Sequence, residues 1–502
     1  MFNMAIEKRP IDEIMEGMRA YYDSGITQDV DWRIEQLKKL RASMKKHQLE
    51  LLEAMWKDYH KSAFDTFLLE LAGTYAELDD TIHHLKRWAA PKKNGSALVN
   101  FPSHTMNYRD PYGVVLVTNA WNFPIFCGIA PLIGAIAGGN CCVFKTSRYV
   151  QHTSAWVEKV IAECFDPNYI TVLSGGREEN ADLFKAPFNF SFFTGSTTVG
   201  SLLMQQQAEH VSPCILELGG KSPTYIDKSA NLKEAAEVIA WAKSCNGGQV
   251  CVDPDYLLVH EAVYDEFMKL FKAAFQKNCY KKNGKLKDGY CGIVSEKHAK
   301  KMLSFIEEDY VTFGGNFDAD KRMLEPTIME FGYACPDLIE DHKCFQEEIF
   351  GTVIPVAKVA CKEDAVTFIH QVCKTYGIGG VEAKPLAYYV YAHDKKVADY
   401  MLAKVQSGGA AINASILHLI GTPFNGTGFS GNGDGYHGEE SFKVFTHNRT
   451  VLVKQNGVGV HRLINWVLFP HDPLNKVIPT ALKALPLDHV VQFLVVPPSK
   501  WL

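Results

Sequence analysis

Four short apolar segments rich in β-branched and aromatic residues alternate with helical stretches between residues 113 and 196, and this rhythm constrains the fold most strongly. The segments are GVVLVTNA, CCVFK, YITVLS and FSFFTGS. Helical patterns separate them, including the Gly- and Ala-rich GIAPLIGAIAGGN and stretches near residues 151–164 and 178–185. Short buried strands joined by helices are typical of a doubly wound parallel sheet, which binds a dinucleotide at its carboxyl edge. The sequence therefore predicts a Rossmann-like α/β domain.

The rest of the sequence predicts that the Rossmann-like domain is part of a larger α/β protein. Residues 31–88 carry apolar residues at three- and four-residue spacing, which indicates helices. A second α/β region follows the first sheet, and two turn-rich or strand-like segments form a small β arm. We predict a dinucleotide-binding domain at residues 1–94 and 113–217, a catalytic domain at 218–430, a bridging and oligomerisation arm at 95–112 and 431–454, and a C-terminal extension at 455–502.

The C-terminal extension contains two apolar runs, LINWVLF and VVQFLVV. Charges and prolines between them keep each run well short of the roughly 20 residues that a membrane-spanning helix needs. We favour an extension that packs at an interface or over a pocket. Peripheral membrane contact is the alternative.

Composition excludes several other classes of protein. Of the 502 residues, 47% are hydrophobic and 22% charged, as in ordinary globular proteins, and the net charge of −5 gives no reason to expect a nucleic-acid partner. The 13 cysteines are odd in number and none are spaced C-x-x-C, so neither a disulfide framework nor a metal knuckle is indicated. The charged start of the chain lacks the apolar core of a signal peptide. We therefore expect a cytoplasmic protein without a metal.

Four further motifs carry the candidate chemistry, and each has a plain structural alternative. The turn GSTTVG between a strand and a helix is suited to a pyrophosphate, but an ordinary tight turn would have the same sequence. Cys251 is one of many cysteines, and a single cysteine is commonly a small buried hydrophobe. Asn122 is equally suited to capping a helix. In chain order the motifs are NAWNFP with KTSR, FFTGSTTVG, LELGGKSP with NGGQVC, and EEIFG with PFNGTGFSG.

Together and in this order, the motifs resemble the aldehyde dehydrogenase superfamily over residues 20–455. The segment RIEQLKKL near the start and SGNGDGYHGEESF near the end are most similar to its class 3 branch, whose members act on fatty and aromatic aldehydes. The resemblance implies oxidation of an aldehyde to the carboxylic acid, with a dinucleotide cofactor and a thioester intermediate.

The resemblance also assigns the reacting groups. An aldehyde has no leaving group, so a thiolate must first capture its carbon, and Cys251 is the matching nucleophile. The side chain of Asn122 and the backbone N–H of Cys251 would stabilise the oxyanion. Glu217 would deprotonate the water that hydrolyses the thioester. The alternative for Glu217 is a structural ion pair with Lys221.

Cofactor contacts follow in the same way. NAD-preferring family members commonly have a glutamate where Arg148 stands, and the loss of this carboxylate together with an added guanidinium favours NADP over NAD. The alternative is that Arg148 points to solvent. The residues predicted to contact the cofactor are Lys145 and Arg148 at the adenosine end, Gly195, Ser196 and Gly200 around the pyrophosphate, and Glu348 and Phe350 at the nicotinamide end.

The substrate is predicted less directly. Phe67, Leu68 and Phe123 would form an apolar funnel for a medium- or long-chain aliphatic, or an aromatic, aldehyde, unless they are ordinary core residues. By resemblance, the partners are a small-molecule aldehyde and a second copy of the chain in a homodimer. Two other functions remain open: acyl transfer to coenzyme A (or the reverse reduction of an acyl thioester), and a non-catalytic structural or binding descendant.

Overall fold

The computed structural model describes residues 9–96 and 103–454, which form two compact units. The first unit comprises residues 9–85 and 112–445, and the second comprises residues 86–96, 103–111 and 446–454. The predicted extension at 455–502, with its alternative of membrane contact, lies outside the described residues. The division of the first unit into separate domains stays a prediction.

The N-terminal part of the first unit is helical, as its apolar spacing predicts. In the second helix, buried Ile34, Leu37, Leu40 and Met44 recur every three or four residues. The Asp29 carboxylate caps this helix by accepting from the backbone N–H of Asp31. The elements are α1 (Ile11–Asp23), α2 (Val30–Lys46), α3 (Gln48–Tyr59), α4 (Ala63–Thr66), a π-helical turn (Phe67–Ala72) and α5 (Gly73–Ala89).

The second unit contains a three-stranded antiparallel sheet. Its strands are β1 (Lys92–Asn94), β2 (Ser103–Pro111) and a long C-terminal strand (Thr446–Lys454), with β2 in the centre. All nine residues of β2 pair with the nine residues of the C-terminal strand. A β arm exists where turn formers and a strand-like segment indicated one, and its part in oligomerisation stays a prediction.

The first sheet of the large unit is parallel and doubly wound, as predicted. The first strand of this sheet in chain order, β3, lies in the centre. The next two strands in sequence lie on one side of it and the last two on the other, in the order β5-β4-β3-β6-β7. The elements are β3 (Val114–Thr118), α6 (Phe126–Gly138), β4 (Cys141–Lys145), α7 (Gln151–Cys164), β5 (Ile170–Leu173), α8 (Arg177–Lys185), β6 (Phe190–Thr194), α9 (Thr197–Ala208) and β7 (Cys214–Glu217). The reversal of strand order beside β3 creates a crevice at the carboxyl edge.

The second sheet has seven strands in the order β10-β13-β14-β9-β8-β15-β16, all parallel to their neighbours except β10. A second α/β region is therefore confirmed. Its strands are β8 (Pro223–Ile226), β9 (Tyr256–His260), β10 (Val311–Phe313), β13 (Thr327–Tyr333), β14 (Val353–Val359), β15 (Ala387–Tyr391) and β16 (Gly409–Ile412), with a separate hairpin of β11 (Phe317–Asp318) and β12 (Met323–Leu324).

Helices connect the strands of the second sheet. They are α10 (Leu232–Ser244), α11 (Tyr264–Cys279), α12 (Glu296–Leu303), α13 (Pro336–Asp341), α14 (Lys343–Gln346), α15 (Lys362–Tyr376) and α16 (Lys395–Lys404), followed by α17 (Glu439–Val444). The C-terminal strand of the second unit is β17. Among the helices of residues 9–96 and 103–454, none combines the length and apolar character needed to cross a bilayer.

Candidate active site

A cavity of about 1440 Å³ opens at the carboxyl edge of the first sheet. The residues that end or directly follow β3, β4, β6 and β7 line it, which is where a doubly wound sheet presents its binding groups. The nucleophile segment and the EEIFG segment reach the same space from the second α/β region. Of the predicted site residues, the cavity lining includes Asn122, Glu217, Cys251, Lys145, Arg148, Gly195, Ser196, Glu348, Phe350, Leu68 and Phe123.

Two predicted site residues lie outside the lining. Phe67 belongs to the π-helical turn, and 52% of its surface is exposed, so it does not contribute to the predicted funnel. Gly200 lies one turn into α9, where an added Cβ would come within 2.6 Å of Leu218 Cδ2. Gly200 therefore allows α9 to approach the segment after β7 closely, and the cavity wall near it is formed by Val199 and Ser201.

The turn before Cys251 depends on an unusual run of backbone conformations. Asn246, Gly247 and Gly248 are all left-handed, with φ of 52°, 63° and 69°. A side chain on Gly248 would collide with the backbone of Gly351 in the EEIFG segment. The two glycines thus permit a tight turn that brings Cys251 against the segment carrying Glu348.

The side chain of Asn122 lies next to this turn. Its Nδ2 donates to the backbone carbonyl of Gln249 at 3.1 Å, two residues before the nucleophile. The backbone carbonyl of Asn122 accepts hydrogen bonds from Tyr59 Oη at 3.2 Å and from Asn246 Nδ2 at 3.0 Å. The amide is therefore fixed beside Cys251, as an oxyanion donor must be. Asn246 belongs to the NGGQVC motif, but no pattern in the sequence assigns it a role.

Cys251 is partly exposed, through the cavity that it lines. Burial of the sulfur, with smaller effects from the nearby carboxylates of Glu348 and Glu217, raises the pKa of the thiol to about 12. All thirteen cysteines of the chain are free thiols. In the protein alone, the thiol form of Cys251 therefore predominates at neutral pH.

Glu217, the last residue of β7, is almost completely buried, with 3% of its surface exposed. Neither carboxylate oxygen has a hydrogen-bond partner within the described residues, and burial raises its pKa well above the ordinary value. The alternative of an ion pair with Lys221 is wrong. Lys221 Nζ instead contacts Asp255 and the carbonyl of Cys344.

Lys221 and Asp255 hold the segment that carries Glu348. Lys221 Nζ donates to the carbonyl of Glu347 at 2.8 Å, and Asp255 Oδ1 accepts from the N–H of Ile349 at 3.0 Å. Burial, followed by repulsion from Asp255, raises the pKa of Glu348 to about 8. A side chain at Gly219 would collide with the Glu348 carboxylate.

The nicotinamide end of the predicted cofactor site has an aromatic wall. Phe350 adopts φ of 53°, a strained value for a residue that is not glycine, and the ring of Trp121 packs edge-on at 5.4 Å between centroids. Strain of this kind persists where the surroundings fix it, and such places are often functional.

The adenosine and pyrophosphate end fits a dinucleotide. Helix α9 begins at the cavity with Ser196 at its N-cap, and no side chain caps the helix. The first N–H groups of such a helix are suited to a phosphate. Lys145 ends β4 and donates to the carbonyl of Gly175 at 2.9 Å, whereas the Arg148 guanidinium lies 5.3 Å from the ring centroid of Tyr149. Arg148 is exposed and is one of the residues that line the cavity.

The raised pKa of Cys251 predicts a steep pH dependence of its reactivity. Only the thiolate is alkylated, so in the cofactor-free protein we expect the iodoacetamide reaction at Cys251 to accelerate about tenfold per pH unit without a plateau near the pKa of a free thiol. Peptide mass spectrometry with glutathione as the reference thiol measures this. A plateau at the pH where glutathione levels off would contradict it.

Comparisons with known proteins show which family the chain is similar to. The model of the aldehyde dehydrogenase family matches residues 4–451. The chain is 35% identical to the 4,4'-diaponeurosporen-aldehyde dehydrogenase of Staphylococcus aureus, over 90% of this chain and 96% of that protein. It is 34% identical to the dimeric NADP-preferring aldehyde dehydrogenase of Canis lupus familiaris, over 88% and 94%. The solved structure of substrate-bound Staphylococcus aureus AldH has a TM-score of 0.84 and 34% identity, covering 89% of this chain and 95% of that one.

Proposed function

This chain belongs to the aldehyde dehydrogenase family, and from that premise we propose that Cys251, Asn122 and Glu217 carry its chemistry. The protein is an enzyme that oxidises an aldehyde with NAD or NADP, and its motifs are most similar to class 3 members. The observation that carries the assignment is that these three residues, from three separate motifs, line one cavity at the carboxyl edge of the first sheet.

The first half of the reaction takes place on Cys251. The Cys251 thiol loses its proton to solvent and attacks the aldehyde carbon as the thiolate, so that a C–S bond forms and the carbonyl oxygen becomes an alkoxide. The hydrogen bond from Asn122 Nδ2 to the Gln249 carbonyl holds the amide where its second N–H can meet that oxygen, together with the N–H of Cys251. A bound dinucleotide would supply the hydride acceptor beside Cys251, and Glu348 and Phe350, which line the same cavity, would orient its nicotinamide end.

The second half is hydrolysis of the resulting thioester. Glu217 takes a proton from water, the hydroxide adds to the acyl carbon, and the C–S bond breaks to give the carboxylic acid and the Cys251 thiolate. The unpartnered, buried carboxylate supports this role, since a structural glutamate would be paired. Transfer of the acyl group to coenzyme A needs no such base. Replacing Glu217 therefore separates hydrolysis from acyl transfer.

We further propose a preference for NADP. Arg148 lies in the cavity lining at the adenosine end, and the related canine enzyme is named NADP-preferring. A planar guanidinium is a good partner for a 2′-phosphate, which a carboxylate at this position would repel.

Substitution of Arg148 by glutamate is expected to reverse that preference. The loss of a charge-assisted contact should lower kcat/KM for NADP by roughly 10- to 100-fold, whereas kcat/KM for NAD should stay the same or rise. Steady-state kinetics with both cofactors measures this, and Arg19→Glu, outside the cavity lining, is the matched control. A wild-type preference for NAD would contradict the proposal.

For the substrate, we propose a medium- or long-chain aliphatic or an aromatic aldehyde. The wall of the cavity away from the dinucleotide groups is apolar, and one relative is named for the long apolar aldehyde diaponeurosporenal. An apolar funnel binds such chains by burial of their surface. Its lining includes Leu68, Phe123, Trp241, Ile416, Leu417, Leu419 and Ile420.

We also propose a homodimer in a reducing, cytoplasmic compartment. The canine relative is named dimeric, and β17 is a nine-residue edge strand of the three-stranded sheet, which is the kind of edge that pairs with a second chain. Thirteen free thiols support a reducing environment.

A further inference from the structure

A fully buried ion pair lies behind the loop that carries Asn122. Lys61 Nζ contacts Glu70 Oε1 at 2.6 Å, and both side chains are 0% exposed. The second oxygen of Glu70 accepts hydrogen bonds from the backbone N–H groups of Ile125 at 3.0 Å and Phe126 at 2.9 Å. Desolvation of two charges is costly and is offset only where hydrogen bonds satisfy both groups, so this pair is suited to fixing a geometry rather than to adding stability.

The groups that Glu70 holds are the N-terminus of α6. This end of a helix carries a partial positive charge and free N–H donors, and a carboxylate there stabilises and orients it. Helix α6 begins at Phe126, only four residues after Asn122. The position of Asn122 in space therefore depends on the position of the Glu70 carboxylate.

Two residues at the start of the 59–70 segment, Lys61 and Tyr59, also contact the Asn122 loop. Lys61 Nζ lies 4.5 Å from the ring centroid of Phe123, and Tyr59 Oη donates to the carbonyl of Asn122. Tyr59, Lys61 and Glu70 thus contact three consecutive parts of the sequence from Asn122 to Phe126. None of them lines the cavity, so none can touch the aldehyde directly.

We propose that Lys61 and Glu70 are positioning residues for the oxyanion site, which they hold in place by fixing the start of α6; this inference rests on the proposed role of Asn122. Preorganised donors lose much of their effect when displaced by a fraction of an ångström to one ångström. The pair acts on the rate through the Asn122 amide and has no proton-transfer role of its own.

A double-mutant cycle separates positioning from mere structural support. Glu70→Gln should lower kcat/KM for an aldehyde by roughly 10- to 100-fold, and Asn122→Ala by roughly 100- to 1000-fold. Because both changes act on one donor, the double variant should be no slower than Asn122→Ala alone. The dissociation constant of NADP, measured by equilibrium binding, should stay the same in Glu70→Gln.

Arg33 provides a matched control at the opposite end of the same helix. It is 4% exposed, and its Nη1 donates to the carbonyl of Ala137 near the C-terminus of α6 at 3.1 Å. Arg33→Met removes a buried charged contact to α6 without touching the Asn122 end. It should lower the melting temperature and leave kcat/KM unchanged. If Glu70→Gln does not fold, Lys61→Met/Glu70→Gln, which leaves no unpaired buried charge, takes its place in the cycle.

Each outcome of the cycle either supports or overturns the positioning role of Lys61 and Glu70. A loss in Glu70→Gln that disappears in the Asn122→Ala background supports the proposal. Losses that multiply, or full activity in a folded Glu70→Gln enzyme, overturn it and leave the pair a structural one. If Asn122→Ala itself keeps wild-type kcat/KM, the proposed oxyanion role fails instead, and the two failures are thereby distinguished.

Discussion

Replacing Cys251 with alanine is expected to abolish aldehyde oxidation, with a loss on the order of 10⁶-fold, as for other enzymes deprived of their nucleophile. Without the sulfur, no adduct forms from which the aldehyde hydrogen can leave as hydride. Cys251 follows the left-handed turn and lines the cavity together with Glu348 and Asn122. The appearance of reduced cofactor with a panel of aldehydes measures the loss.

Cys245→Ala is the matched control for this experiment. Cys245 also lines the cavity, but it is six residues earlier in the chain and precedes the left-handed turn. Its variant should keep turnover. Retention of activity by Cys251→Ala, or an equal loss in both variants, would show that the nucleophile is misassigned.

Replacing Glu217 with glutamine is expected to leave the first half of the reaction intact and to stop the second. The enzyme should release one burst of reduced cofactor per active site and then stall, with steady-state turnover lowered by roughly 10²- to 10⁴-fold, the usual contribution of a general base. The physical reason is that glutamine has the shape of the carboxylate but cannot accept the proton of water. Rapid mixing with aldehyde and NADP resolves the burst from the steady state.

Glu347→Gln is the control for the burst. Glu347 lines the same cavity, but its carboxylate already pairs with Lys301 at 3.3 Å and Lys343 at 3.7 Å. The Glu347→Gln enzyme should show neither a burst of reduced cofactor nor a stall in turnover. If Glu217→Gln turns over unchanged, the base is misassigned. If it turns over only with coenzyme A and yields the acyl thioester, acyl transfer is the reaction instead.

Much of this arrangement is predictable from sequence because it depends on local pattern. Parallel strands present their carboxyl ends at one edge, so motifs that follow β3, β6 and β7 must meet there, whatever lies between them. The resemblance that rests on the motif order predicts roles for Cys251, Glu217 and Asn122, and these three residues line one cavity. The helix predicted near residues 151–164 is α7 (Gln151–Cys164).

The parts that sequence did not predict depend on contacts between distant segments. Whether an aromatic residue faces the funnel depends on the rotation of its helix, and the π-helical turn directs Phe67 to solvent. The Glu70 carboxylate accepts hydrogen bonds from two backbone N–H groups at the start of α6, which lie 55 and 56 residues further along the chain. No pattern in the sequence indicates that pairing. Gly200 fits a phosphate motif, but its role in the structure is close packing against Leu218.

The most direct test is the mass of the peptide containing Cys251 in Glu217→Gln enzyme, quenched in acid after one exposure to aldehyde and NADP. A sulfur nucleophile and a separate hydrolytic base predict that this peptide gains the mass of the acyl group, in an amount equal to the burst of reduced cofactor. A burst with no acyl group on the protein, or with the acyl group on another cysteine, would contradict the account.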